Sequence, residues 1–153
     1  MSHLDEAKTT MTSKEGLIRA LIALGFTRNQ IEIHDKAQDI IGYHNTEDGK
    51  VGHVIIRRQH TRIPSDIGWE MKDGNYVGHV DAHDYSTWRD HMGATVYDRK
   101  WSVNLVRNYN IETTKMHFEA KGLKARVVTD AKGRTQVRAY SPVKAKQPLR
   151  VSI

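Results

Sequence analysis

The densest group of chemistry-bearing side chains in this chain is His79-Val80-Asp81-Ala82-His83-Asp84. In an extended segment alternate residues face the same way, so His79, Asp81 and His83 are expected on one side. Two imidazoles and a carboxylate on one face can hold zinc or iron and leave a coordination position open. His91 is a candidate fourth ligand. Such a site would suit a metal-dependent hydrolase. The competing reading is a polar strand end that runs into a loop with its side chains solvated.

A second group is Arg57-Arg58-Gln59-His60-Thr61-Arg62. Guanidinium groups present a planar fork of N–H donors that matches phosphate oxygens, so arginines clustered at a strand end can bind phosphate groups. If the strand before them continues, Arg58, His60 and Arg62 share a side. Equally, these arginines can pair with Asp66 or Glu70. A third group interleaves aromatic and basic residues: Trp88-Arg89, Arg99-Lys100-Trp101, Arg107 and Tyr109. Exposed aromatics beside arginines can stack single-stranded bases. Trp and Tyr at helical spacing also serve as core, which leaves Trp88, in an irregular segment, as the aromatic expected at the surface.

Charge separates the chain into two parts. Of its 153 residues, 24 are Lys or Arg and 18 are Asp or Glu, a net charge of +6. Residues 121–153 hold nine of those cations and a single anion, Asp130, so this C-terminal segment carries more than the whole excess. A concentrated basic face is the footprint expected for phosphate backbones or for an acidic protein partner, although it also serves solubility alone. Lys124, Arg126, Arg134 and Arg138 are the candidates on this segment. The absence of cysteine excludes a disulfide framework, a thiol nucleophile and cysteine-ligated metal clusters. No phosphate-cradling glycine loop, Gly-x-Ser-x-Gly elbow or His-Glu-x-x-His pair is present. The first residues lack the basic and apolar regions of a secretory signal, and the longest apolar run, 17–26, is too short to span a bilayer. A cytoplasmic location with no membrane partner is the expectation.

The elements that must position these groups follow from periodicity. Residues 2–11 alternate weakly and suit a first strand. Thr12 or Ser13 can cap a helix over 13–24 whose Leu17, Ile18, Leu21, Ile22 and Leu24 fall at helical spacing before Gly25. Ile31–Ile33 and Ile40–Tyr43 read as short strand runs broken at Asp35-Lys36 and Asp39. Asp48-Gly49 and Asp73-Gly74 are hairpin signals. The strands 51–58, 67–71 and 76–80 follow, with Val-Gly-His-Val at both 51–54 and 77–80 suggesting two similarly built hairpin arms. From about Lys100 to Gly122 a helix is predicted with Trp101, Leu105, Tyr109, Met116 and Ala120 on one stripe. Ile111 and Phe118 lie off it, so a break near 108–110 is an option. Residues 124–129 and 135–140 make a last hairpin. The order β-α-β-β-β-β-β-α-β-β implies an α+β fold: an antiparallel meander sheet with two helices packed on one face. One domain is expected over 1–140, with 141–153 as a basic extended tail.

Several short motifs, in their order along the chain, resemble one family. They are Ser2-His3, Leu24-Gly25-Phe26, Ile55-Ile56-Arg57-Arg58, Asp66-Ile67-Gly68-Trp69, Tyr109, and Ala120-Lys121-Gly122 before a final hairpin. Over roughly residues 2–140 they resemble the family called hypothetical chloroplast reading frame thirty-five, or domain of unknown function twelve-fifty-seven, found in plastids, cyanobacteria, other bacteria and phages. The resemblance carries no assigned activity. Members encoded near ring-forming ATPases imply an adaptor role. Residues 79–98 and the tail after Tyr140 match nothing in that family. The expectation from residues and resemblance together is a non-catalytic binding protein that engages nucleic acid or a ribonucleoprotein through Arg57, Arg58, Arg62 and the basic hairpin. The alternatives are an adaptor for an acidic partner such as a ring ATPase, and the metal-dependent hydrolase.

Overall fold

The first helix forms where the sequence supplies both a start and a stop. α1 spans Lys14–Ala23, with Ser13 Oγ accepting the Gly16 N–H at 3.0 Å and Glu15 in the positively polarised first turn. It ends at Gly25, whose φ of 112° is a conformation that side chains resist. The N–H groups of Gly25 and Phe26 return to the carbonyls of Ile22 and Leu21, satisfying acceptors that a helix end leaves open. The computed structural model describes residues 11–42, 47–63, 65–80, 97, 99–142 and 149–152. The strand expected over 2–11 lies outside them except for Met11, which is buried and accepts the Tyr76 N–H at 2.7 Å.

Two antiparallel sheets flank the helices. β1 (Glu32–Ile41), β2 (Glu47–Ile56), β3 (Ile67–Lys72) and β4 (Asn75–Val80) form a meander in the order β1-β2-β3-β4. A helical turn, α2 (Arg58–Thr61), joins β2 to β3. The long helix α3 (Arg99–Ala120) leads to a second sheet of β5 (Lys124–Thr129), β6 (Thr135–Tyr140) and β7 (Leu149–Ser152), in the order β5-β6-β7. The chain is thus the α+β, antiparallel fold that periodicity implies, with the expected order of helices and strands. The residues expected as a tail re-enter as β7, paired to β6.

Alternation sorts the first sheet into faces. Val54, Ile56, Ile67, Trp69 and Tyr76 join Leu17, Ile18 and Leu21 of α1 and Leu105 and Tyr109 of α3 in one core. Both helices therefore cover the same face. The Asp73-Gly74 signal makes the β3–β4 turn, with φ of 51° and 84° as a two-residue primed turn requires. Asp48-Gly49 does not make a turn, because both residues lie within β2. The reason is tertiary: Ile41 is already held at both its N–H and its C=O by Asp66, so β1 ends there and its register with β2 shifts. The break expected at Asp35-Lys36 is a bulge inside a continuous β1, between the pairs Ile33↔Val54 and Gln38↔Gly52.

α3 runs without interruption through Asn108–Asn110. The off-stripe residues explain themselves: Ile111 and Phe118, two turns apart, form a second small core with Val137 and Ala139 of β6. One helix thus serves two hydrophobic clusters. It is fixed to α1 by Tyr109, whose hydroxyl accepts the N–H groups of Thr12 and Ser13, each at 2.9 Å. The crossing is close at Gly16, where an added Cβ would sit 2.5 Å from Thr113 Cγ2 and 2.8 Å from Tyr109 Cε2. Gly16→Ala is expected to lower stability by about 1–3 kcal/mol through overpacking, against the helix propensity that favours alanine. Urea denaturation measures this, and adding Thr113→Ser, which removes Cγ2, should recover part of the loss. An unchanged midpoint in Gly16→Ala would show that the crossing relaxes freely.

Candidate nucleic-acid interface

Arg57 follows β2 directly and is built into the fold. Its Nε donates to both oxygens of Glu32 at 3.0 Å, and its Nη1 donates to Asp39 O at 2.9 Å and Asp66 Oδ2 at 3.0 Å. Asp66 is 1% exposed. Its carboxylate also accepts the N–H groups of Ile41 at 2.9 Å and Arg58 at 2.8 Å. Burial opposes ionisation of Glu32, yet hydrogen bonds from Arg57 and His34, and their charges, hold its carboxyl below the usual carboxylate range. Burial likewise opposes the Arg57 charge, and Glu32 and Asp66 more than restore it. A phosphate reaching Arg57 would have to displace these carboxylates.

The neighbours of Arg57 do not continue the strand. Arg58–Thr61 is a helical turn and Arg62 adopts a left-handed φ of 68°, so the alternation that would align Arg58, His60 and Arg62 is absent. The cause is the segment's own hydrogen bonding. Asp66 Oδ1 takes the Arg58 N–H, the His60 N–H returns to Arg57 O at 2.8 Å, and the buried Thr61 hydroxyl donates to Ser65 O at 2.9 Å. Tyr97 donates to Thr61 O at 2.6 Å from a buried position, and burial pushes its phenol far above its ordinary value. Arg58 and Arg62 are exposed, but they sit on a helical turn and a left-handed residue rather than in one strand row, and only Thr61 of the segment is buried.

His79 lies at the end of β4, nearly buried, with its Nε2 3.0 Å from Glu70 Oε1 on β3. Asp81, His83, His91 and Trp88 lie outside the described residues. Among the described residues no group of three or more His, Asp or Glu is placed to hold a metal ion. The other half of the Val-Gly-His-Val repeat differs in use: His53 Nδ1 accepts the Met71 N–H at 3.0 Å. The aromatic residues of the interleaving on α3 belong to the core, whereas Lys100 and Arg107 are exposed. Trp101 packs on Trp69 and Tyr97, and Tyr109 is buried.

The second sheet is where cations are brought together. Its register sets Lys124 opposite Tyr140, and Arg126 opposite Arg138, which in turn lies opposite Arg150. Directly opposed residues share a face, so β5 and β6 present Lys124, Arg126, Val128, Gln136, Arg138 and Tyr140 on one side. The other side carries Val137 and Ala139 against α3, so the cationic side faces away from the helix. The strands of this sheet contain no carboxylate. The Arg126 guanidinium lies 5.7 Å from the centre of the Tyr140 ring. Arg138 Nε is shielded from solvent and has no hydrogen-bond partner among the described residues. Arg134, also a candidate, stands apart: it closes the β5–β6 turn by donating from its Nε to Asp130 Oδ2 at 2.8 Å.

Sequence reasoning reached Lys124, Arg126 and Arg138 but not their alignment. The parity of the β5–β6 hairpin was available to show it. The position of Arg150 had no local signal, because its strand pairs across an intervening segment. Glu32 and His34, which surround Arg57, were missed for the same reason. No helix among the described residues is long and apolar enough to cross a membrane.

Asp66→Ala is expected to destabilise the protein by about 3–5 kcal/mol, since it strips a buried partner from Arg57 and two backbone N–H groups at once. Thermal or urea denaturation measures the loss, and a change below about 1 kcal/mol would mean that water replaces the carboxylate. Glu32 should act through pH. With its folded-state pKa lowered, its contribution is present above the unfolded pKa and is lost as pH falls through the folded one. The melting temperature of Glu32→Gln should therefore lie below that of the parent near neutrality, with the gap closing below about pH 4. A gap independent of pH would assign the difference to packing. Comparison with protein-family models, with curated proteins and with solved structures finds no match for this chain.

Proposed function

We propose that this protein is a non-catalytic nucleic-acid-binding protein that grips the phosphate backbone on the outer face of its second sheet. The observation that carries this reading is the cross-strand alignment of Arg126, Arg138 and Arg150, with Lys124 one row away and no carboxylate on the strands. Like charges placed directly opposite one another destabilise a sheet. A polyanion removes that penalty on binding, and arginine meets phosphate oxygens with a matching fork of donors. The density of charge favours nucleic acid over an acidic protein surface. Adjacent strands are about 4.8 Å apart, and a nucleic-acid strand offers a phosphate every few ångströms, about 3.4 Å along the axis of a duplex. A nucleic-acid strand also repeats its charge along its whole length, which suits a row of three arginines. The proposed kinship with the chloroplast reading frame thirty-five family adds no activity to this reading.

Fluorescent RNA and DNA strands titrated over a range of salt concentrations test it. Affinity should fall steeply with salt. The variant Arg126→Gln/Arg138→Gln should bind at least about tenfold more weakly, with a salt slope on a single strand shallower by about 0.7 for each phosphate no longer neutralised. The same variant should melt no lower than the parent at low salt, because it relieves repulsion. No binding at low salt would discard the reading, and recovery of an acidic protein partner that the same variant fails to hold would replace it.

A further inference from the structure

The outer face of the second sheet is not uniformly charged, and its pattern across the strands bears on which nucleic acid it would take. The register stacks three rows along β5 and β6: Lys124 with Tyr140, Arg126 with Arg138, and Val128 with Gln136. Arg150 extends the middle row on β7. Charge is concentrated in the centre, an aromatic ring lies on one side, and an aliphatic and an amide side chain lie on the other. Tyr140 is only partly buried, and the Arg126 guanidinium lies over its ring, 5.7 Å from the centroid, so a base that stacks on Tyr140 takes the place of Arg126 as that cation moves to a phosphate.

We infer that this face is selective for single-stranded nucleic acid, with phosphates along the arginine row and an unpaired base stacked on Tyr140. The inference rests on the nucleic-acid reading and narrows it. Three strands span about 10 Å between their outer backbones. With side chains added, a flat sheet face of this width does not enter a major groove roughly 12 Å wide, which admits a helix or a two-stranded ribbon. Against a duplex the face would meet only phosphates, and Tyr140 would have no base to touch. A single strand can lie flat, turn its phosphates to the central row and leave its bases free for the flanking rows. Ring stacking is tolerant of sequence because every base has a π-face, so the selectivity is for an open strand rather than for a particular sequence.

The test uses the full chain and four labelled probes of equal length: oligo-dT, oligo-U, an abasic deoxyribose-phosphate strand and a DNA duplex. The base-bearing strands should bind about tenfold or more tightly than the abasic strand, the increment that stacking of one base supplies. Tyr140→Leu should erase that difference and leave binding to the abasic strand unchanged. Tyr140→Phe should retain it, which separates a stacking role from a role of the hydroxyl. Circular dichroism melts of both variants exclude loss of folding as the cause. Abasic or duplex probes bound as tightly as the base-bearing strands would overturn the inference while leaving the phosphate reading standing. Failure of all four probes would overturn both. Equal affinity for oligo-dT and oligo-U is the expected result, and a large preference between them that survives Tyr140→Leu would place the recognition away from Tyr140 and so overturn it.

Discussion

Asp66 organises the first sheet by being a carboxylate with nowhere to go but its donors. It is almost wholly buried, and it accepts N–H groups from Ile41 and Arg58 and a guanidinium N–H from Arg57. In return its own N–H donates to Ile41 O. These bonds end β1, end β2 and start β3 at one point. A buried carboxylate left without such partners is costly, so the three segments cannot separate independently. The hairpin geometry between β1 and β2, the helical turn after Arg57 and the packed loop closed by Tyr97 all follow from that requirement.

The same requirement divides the cations of this protein by role. Arg57 has two carboxylates and a carbonyl around it, and Arg134 has the carboxylate of its own turn. Their charges are compensated inside the fold. On the second sheet the arginines face one another across the strands, and the strands themselves offer no acid. Fold stability accounts for the first pair and is opposed by the second arrangement. That contrast, more than the net charge, is why the proposed interface lies on β5–β7 and not at the Arg57–Arg62 loop.

α3 connects the two regions mechanically. Its Leu105 and Tyr109 belong to the core shared with α1 and the first sheet, whereas its Ile111 and Phe118 belong to the core beneath the second sheet. The Arg107 guanidinium adds a polar tie to Thr135 at the start of β6. With Val137 and Ala139 held against the helix, the second sheet turns its cationic face outward. A rigid, already formed platform loses little conformational entropy when it binds.

Local chemistry made much of this architecture legible from the sequence. Ser13 and Gly25 bracket α1, Asp73-Gly74 makes its turn, Gly122 stops α3, and β5 and β6 occupy the expected residues, because caps, positive φ and alternation act within a few residues of one another. The basic C-terminal segment was equally plain. Readings that depended on a distant partner were not. Asp48-Gly49 lies inside β2, and the Arg58–His60–Arg62 alternation gives way to a helical turn where Asp66 takes the Arg58 N–H. Arg57 resembles a surface cation until Glu32 and Asp66 are folded against it. Ile111 and Phe118 look misplaced until a second sheet supplies something to bury them. The sequence alone determined where α1, α3, the Asp73-Gly74 hairpin and the β5–β6 hairpin form, and where the charge is concentrated. Only the tertiary structure decided which charges are neutralised and which are aligned, since that depends on pairings between segments far apart in the chain.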